Sequence, residues 1–222
     1  MFIRTASVGP WGTNCHVVAL GTGSECLIID PGLGASEFVT QITAEFRLKP
    51  VAVLATHGHV DHIWNLYPVA TDLQIPAVIH RKDRMFLTNP ANAVSPEGAK
   101  VVASLTPDQP WLEPSELIEV GDIAELNFAG FNIKVFSTPG HTAGSVCFEF
   151  NHDQLFTGDL LFKNAIGRTD LFSGDEKQMQ KSLANVMSSY ADDVLIFPGH
   201  GENSTIGDER KNNPYLQNLK MS

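Results

Sequence analysis

Thr56-His57-Gly58-His59-Val60-Asp61-His62 follows directly on the apolar run Val51-Ala52-Val53-Leu54-Ala55. A short β-branched run of this kind reads as a strand covered on both faces, as in a sheet with helices packed against it. The strand stops at a glycine, and four side chains able to bind a metal stand within the six residues 57–62. Residues two apart in an extended segment point to the same side, so His57 and His59 converge on one ion. Asp61 and His62 lie past the turn, face another way and suit a second ion nearby. With eight histidines in 222 residues, three of them plus an aspartate in one short window argue for a metal loop rather than a merely polar one.

Outward from this loop, the chain alternates strands and helices. Residues 13–20 and 25–30 read as a hairpin around Gly21-Thr22-Gly23-Ser24, closed by the sharp turn Asp30-Pro31-Gly32. Phe38, Val39, Ile42 and Phe46 recur at helical spacing within 35–48. A short helix starts near Asp61, a strand covers 77–79, and a short helix covers 81–87. Pro90, Pro96, Pro107, Pro110 and Pro114 punctuate 88–115, which reads as a loop over a site, pinned by Val101, Val102, Leu105 and Trp111. Residues 117–120, 125–128, 132–137, 146–150 and 154–157 read as short strands. Asp175 caps a helix over 176–190, with Met179, Leu183, Val186, Met187 and Tyr190 on one stripe. A last strand covers 194–197, and the tail 208–219 is helical with a break at Pro214.

Each half therefore offers strands first and strand–helix alternation afterwards. The expected fold is α/β: one domain, 1–222, of two pseudo-repeat halves, about 1–115 and 116–222, packed sheet to sheet as a four-layer αβ/βα sandwich. Apolar residues make up 43% of the chain, enough for a sizeable core. A net charge of −10 argues against a nucleic-acid partner, which needs a basic face. The densest cationic stretch, Arg81-Lys82-Asp83-Arg84, reads as a solvated helix start. No run reaches the about 18 apolar residues that span a bilayer, so no membrane partner is expected. Met1–Thr5 is not followed by the apolar run of a signal peptide. Cys15, Cys26 and Cys147 lack CxxC spacing and read as buried free thiols, which suits the cytoplasm.

Three further ligand candidates stand where a β-rich run ends in glycine: His141 after Pro139-Gly140, Asp159 after Gly158, and His200 after Pro198-Gly199. Glycine lets the backbone turn tightly and deliver the next side chain into a cleft at the sheet edge. Joined to the first loop they give five histidines and two carboxylates, the number needed for two ions sharing a bridging ligand. His16, His80 and His152 read as structural, with His80 the first exception to consider. No GxSxG elbow offers a serine nucleophile.

These residues resemble a known family. THGHVDH at 56–62, PGH at 139–141, GD at 158–159 and PGH at 198–200 are similar to the motif set of the metallo-β-lactamase superfamily, in its order and over nearly the whole chain. Gly158-Asp159-Leu160-Leu161-Phe162, Ile166-Gly167-Arg168-Thr169-Asp170 and the stretch from Pro198 to Gly207 resemble its glyoxalase II-like branch. The resemblance implies that His57, His59 and His141 bind one metal ion, that Asp61, His62 and His200 bind the second, and that Asp159 bridges them. Asp61 and Asp159 are the carboxylates it assigns to catalysis. It implies two divalent metal ions, zinc first, with iron or manganese also suited. It further implies a bridging hydroxide that attacks a small acyl-thiol such as S-lactoylglutathione. In glyoxalase II a basic residue at the place of Arg168 contacts the glutathione part. Arg168 is therefore a substrate-binding candidate, unless it merely pairs with Asp170, and Lys163 is a weaker one. Glyoxalase II also carries a carboxy-terminal helical domain, whereas this chain runs about twenty residues past His200. Recognition is then expected from 88–115, from 159–175 or from a partner subunit. The alternative on the same fold is a persulfide dioxygenase with one iron held by two histidines and an aspartate.

Overall fold

The computed structural model of the 222-residue chain describes residues 1–105, 110–217 and 219. In its first half, β1 (Phe2–Val8), β2 (Thr13–Ala19), β3 (Glu25–Ile29), β4 (Lys49–Leu54), β5 (Ala77–His80) and β6 (Leu117–Val120) lie side by side in chain order. The first three strands pair antiparallel and the rest parallel. Parallel neighbours need crossovers. These are α1 (Ala35–Phe46), then α2 (Val60–Ile63) with α3 (Leu66–Leu73), then a segment holding α4 (Pro96–Leu105).

The second sheet has the order β14-β13-β10-β9-β8-β7. It is built from β7 (Ile123–Phe128), β8 (Phe131–Ser137), β9 (Val146–Phe150), β10 (Gln154–Gly158), β13 (Leu195–Pro198) and β14 (Ser204–Thr205). The small hairpin β11 (Leu161–Phe162) and β12 (Ala165–Ile166) and the helix α5 (Glu176–Ser189) separate β10 from its parallel partner β13. The short α6 (Ile206–Asn212) follows β14. Asp175 caps α5 as expected, its carboxylate accepting from the Gln178 amide at 2.9 Å.

Period-two alternation sorts the side chains into layers. In β2 and β4, Val17 and Val53 face a core shared with Val39 and Ile42 of α1 and Val69 and Ala70 of α3. Their neighbours Val18, Ala52 and Leu54 face the other sheet, meeting Phe131, Ile133, Phe148 and Phe156. On the far side, Cys147, Leu155 and Ile196 pack against Met179, Leu183, Val186 and Met187 of α5. The layers run helix, sheet, sheet, helix: the four-layer α/β sandwich. All three cysteines are buried and free.

The structure differs from the sequence reading at several places. Leu117–Val120, grouped with the second half by rhythm, is the edge strand of the first sheet, parallel to β5. β1 was not anticipated, because an edge strand with a mixed exposed and half-buried pattern carries no apolar run. Residues 88–115 hold the ten-residue α4, whose one buried side chain is Val102; Pro96 opens this helix as its first residue, where a proline is tolerated, rather than breaking it. Val102 and Trp111 do pin the segment, together with Val60, Trp64, Leu33 and Val94. Val101 and Leu105 are exposed instead, at 47% and 39%. Pro107 and the end of the tail lie outside the described residues. Asp83, read as part of a solvated stretch, is fully buried. Among the described residues no helix is long and apolar enough to cross a membrane.

Candidate metal centre

All seven expected ligands meet at one edge of the sandwich, where β4, β8, β10 and β13 end. Three groups have ligand atoms within 4.8 Å of one another: His57, His59 and His141; His57, His62 and Asp159; Asp61, His62 and His200. The backbone is still extended at His59, the residue before α2. His57 and His59 therefore reach the same place, while Asp61 and His62 ride on the helical turn and meet His200, with the His62 ring 4.1 Å from that of His57. Asp159 lies between the groups. Its Oδ1 is 3.3 Å from His62 Nε2 and its Oδ2 is 3.3 Å from His141 Nε2.

Two glycines make this convergence possible by closeness. A Cβ on Gly199 would sit 2.2 Å from Asp159 Oδ1 and 2.7 Å from His62 Cε1. A Cβ on Gly167 would sit 1.9 Å from the Asp159 carbonyl oxygen. No side chain fits either place.

The outer hydrogen bonds set the tautomers, because carbonyls and carboxylates only accept. His141 Nδ1 donates to the Arg168 carbonyl at 2.7 Å, His200 Nδ1 to the Trp11 carbonyl at 3.2 Å, and His62 Nδ1 to Asp30 Oδ2 at 3.0 Å. The Thr56 hydroxyl gives its proton to Asp30 Oδ2 at 2.6 Å, which leaves its oxygen to accept from His57 Nδ1 at 3.1 Å. Four imidazoles thus turn Nε2 inward, and His59 Nδ1 stands 2.7 Å from His141 Nε2. Buried His57 Nε2 and Asp159 Oδ1 have no hydrogen-bond partner. Ring nitrogens aimed at one another, with orphaned buried polar atoms among them, fit a cation in their midst.

The charges agree. Burial pushes His57 and His59 below the usual imidazole range, His59 to about 3, and neighbouring imidazoles add to this. For His62 burial opposes the charged form, yet Asp61, Asp159 and Asp30 outweigh it and hold its pKa well above normal. His200 rises to about 9, burial again overcome by Asp159 and Asp61. Burial works against ionisation of Asp61 and Asp159, but His62 and His200 together, with His141 also beside Asp159, outweigh it and hold both below the ordinary carboxylate range. Protons on His62 and His200 therefore balance the two carboxylates, and divalent ions would displace those protons. Imidazole and carboxylate suit zinc and other borderline cations.

Two outer residues escaped the sequence reading. Asp30, taken as a turn residue, is a buried carboxylate that holds the Thr56 amide at 2.7 Å, the Thr56 hydroxyl and His62. Asp83 accepts from the Gly58 amide at 2.8 Å and the Thr142 hydroxyl at 2.6 Å, tying the first ligand loop to the His141 turn. Burial raises its pKa. An aspartate before Pro-Gly and one inside a charged run each look like surface residues, so neither carried a signal.

A cavity of about 290 Å³ opens over the centre. His59, Asp61, His141, Asp159 and His200 contribute to its lining. Trp11, Val60, Val94, Val102 and Leu171 form an apolar wall, and Ser95, Gly98 and Arg168 complete it. Arg168 pairs with Asp170 through Nε at 2.6 Å and a second nitrogen at 2.7 Å. Lys163 pairs with Glu202 and is not among the lining residues. His16 is buried in the core and bonded to Thr5, His80 is buried at the end of β5, and His152 pairs with Glu149. None of the three lines the cavity.

Known proteins are similar to this chain in sequence and fold. A protein of Mycobacterium tuberculosis without assigned function is 38% identical over 226 residues, covering 99% of each chain. Hydroxyacylglutathione hydrolase GloC of Haemophilus influenzae is 31% identical, over 97% of this chain and 98% of that one. Among solved structures, BLEG-1 B3 metallo-beta-lactamase superposes with a TM-score of 0.83 at 33% identity, over 97% of this chain and all of the other. TTHA1623 in a di-iron-bound form gives 0.77 at 30% identity, with the same coverage. The family model described as the metallo-beta-lactamase superfamily matches residues 8–200, from the end of β1 through the last ligand. With the fold, the ligand groups and this match in agreement, the chain belongs to the metallo-β-lactamase superfamily.

Proposed function

We propose that the protein is a dinuclear metallo-hydrolase acting on a small acyl-thiol thioester, of the hydroxyacylglutathione hydrolase type. The observation that carries the reading is the double ligand set, with Asp159 between its two groups. The likeness to GloC over nearly the full length of both chains supports the substrate class. His57, His59 and His141 would hold one ion, Asp61, His62 and His200 the other, and Asp159 both. When bound, two divalent ions, zinc in first place with iron or manganese also suited, supply a hydroxide at neutral pH and polarise the carbonyl it attacks.

The chain's own residues prepare this reaction. Outer hydrogen bonds keep Nε2 of His57, His62, His141 and His200 turned inward, so no ring must flip before catalysis. The wall of Trp11, Val60, Val94, Val102 and Leu171 excludes water and takes an acyl chain. A thiolate leaves without help from a general acid, since its conjugate acid has a pKa of about 8.5. The Arg168 guanidinium at the rim offers a carboxylate of the thiol carrier a partner, in competition with Asp170. A cytoplasmic reaction would suit three buried, free cysteines.

Metal analysis with a panel of thioesters tests the reading. Two ions per chain and hydrolysis of S-lactoylglutathione or a smaller thioester are expected, with most activity lost in Asp159→Ala. Protein carrying two ions that cleaves no thioester, lactone or β-lactam would sink the proposal. One iron per chain with oxygen uptake on glutathione persulfide would put the dioxygenase in its place.

A further inference from the structure

The two ligand groups are not held in the same way. Among the described residues, the segment from Trp11 to Asn14, which runs into the start of β2, hydrogen-bonds to Asp61, His200 and the backbone beside His200, and not to His57, His59 or His141. The Thr13 hydroxyl donates to Asp61 Oδ2 at 2.7 Å. The Asn14 side-chain amide donates both its protons, to the Pro198 carbonyl at 3.0 Å and the Gly201 carbonyl at 2.9 Å. The Asn14 backbone amide donates to the Gly199 carbonyl at 2.7 Å. Three hydrogen bonds from one residue thus bracket His200 on both sides. Thr13 itself forms an isolated β-bridge with His200, whose Nδ1 donates to the Trp11 carbonyl. Thr13 and Asn14 are 1% and 4% exposed, so these bonds do not compete with bulk water.

The chemistry of these partners is selective. A hydroxyl orients the Asp61 carboxylate and occupies one lone pair without cancelling its negative charge, as a lysine or arginine would. Asp61 Oδ2 is aimed between His62 Nε2 at 3.4 Å and His200 Nε2 at 3.3 Å. His57, His59 and His141 are fixed by other residues, namely Thr56 with Asp30 behind it, Asp83 and the Arg168 carbonyl.

We infer that Thr13 and Asn14 are positioning residues dedicated to the second ion, and that they decide whether the centre holds one metal or two. Neither touches substrate or the reacting atoms. The inference rests on the two-ion reading given above.

Titration of the metal-stripped protein with Zn²⁺ against a chromophoric chelator tests it directly, with circular dichroism as the control for folding. The native chain should take up two ions. Thr13→Val keeps the shape of threonine and removes the donor. It should weaken one ion by about 10- to 100-fold and leave the other within about twofold. Asn14→Ala should weaken the same ion. Thr13→Ser restores the hydroxyl and should return the affinity to within about threefold of native, which a purely structural role for the methyl would not do. Two ions bound by Thr13→Val at native affinity, or an equal loss of both, would overturn the inference while leaving the two-ion hydrolase intact. A native chain that takes up a single ion would overturn both together.

Discussion

Asp30→Asn changes one oxygen to nitrogen behind the metal centre and should impair both ions at once. Asp30 is suited to a clean test, because its backbone lies in the left-handed region at φ 52°, which asparagine adopts at least as readily. The carboxylate accepts three hydrogen bonds: Oδ1 from the Thr56 amide at 2.7 Å, and Oδ2 from the Thr56 hydroxyl at 2.6 Å and from His62 Nδ1 at 3.0 Å. The amide of asparagine keeps the first and places an NH₂ where Oδ2 was. That donor now faces two donors. The Thr56 hydroxyl must reverse, and its proton then points at His57 Nδ1; His62 Nδ1 must likewise become an acceptor. His57 moves its proton to Nε2 and His62 gives up the one on Nδ1, so each ring is left with its proton on the atom that faces the site. Restoring each for metal binding forfeits a buried hydrogen bond of about 1.5–3 kcal/mol. At about 1.4 kcal/mol per tenfold, this predicts roughly 10- to 100-fold weaker binding of each ion, His57 belonging to one group and His62 to the other. Zinc titration against a competing chelator measures both constants, and circular dichroism confirms the fold. Native affinities in a folded Asp30→Asn protein would refute the tautomer reasoning.

Three further outcomes are expected. Gly167→Ala puts a methyl group 1.9 Å from the Asp159 carbonyl. The β12 turn must move, Asp159 and His141 with it, so metal content should fall well below two ions per chain even if the protein folds. In the metal-stripped protein, His200 has its pKa raised to about 9. Its contribution to stability is complete below the unfolded value of about 6.5 and is lost as pH rises through 9. Melting temperatures measured in chelator should therefore fall between pH 6.5 and 9, and a flat or rising profile there would contradict the assignment. Val102→Ala removes two buried methyl groups from the one internal anchor of α4, about 1.6 kcal/mol at ~0.8 kcal/mol per CH₂. Hydrogen exchange over 96–105 should speed up roughly tenfold while the global melting temperature shifts by only a few degrees.

The legible part of this molecule was whatever had a period or a punctuation mark. β2 and β4 stood out because residues covered on both faces make continuous apolar runs, and α5 because its stripe repeats and Asp175 caps it. The seven ligands stood out because each follows a strand end, most of them directly after a glycine. Asp30, Asp83, Thr13 and Asn14 did not. Each acts through one to three hydrogen bonds to residues far away in sequence, and Asp, Asn and Thr are common in turns that do nothing else. α4 was hidden by punctuation that misleads: Pro90, Pro96 and the prolines after it read as a loop, yet Pro96 is the first residue of the helix, a place that needs no amide proton. Leu117–Val120 was misassigned because its pairing with β5 is long-range, and nothing local distinguishes an edge of one sheet from the start of the next.

The position of the ligands has a consequence for the lifetime of the fold. His59 and His141 are 82 residues apart in the chain, and His62 and His200 are 138 apart. In both pairs one partner follows a strand of the first sheet and the other a strand of the second. An ion held by either pair is therefore a clasp between the sheets, closing a loop of a size for which a covalent link removes about 4–5 kcal/mol of chain entropy from the unfolded state. The sheets of the loaded protein cannot part until a clasp opens. Its rate of unfolding should then follow the rate at which metal leaves, and a chelator should act on it as a denaturant does on the stripped chain.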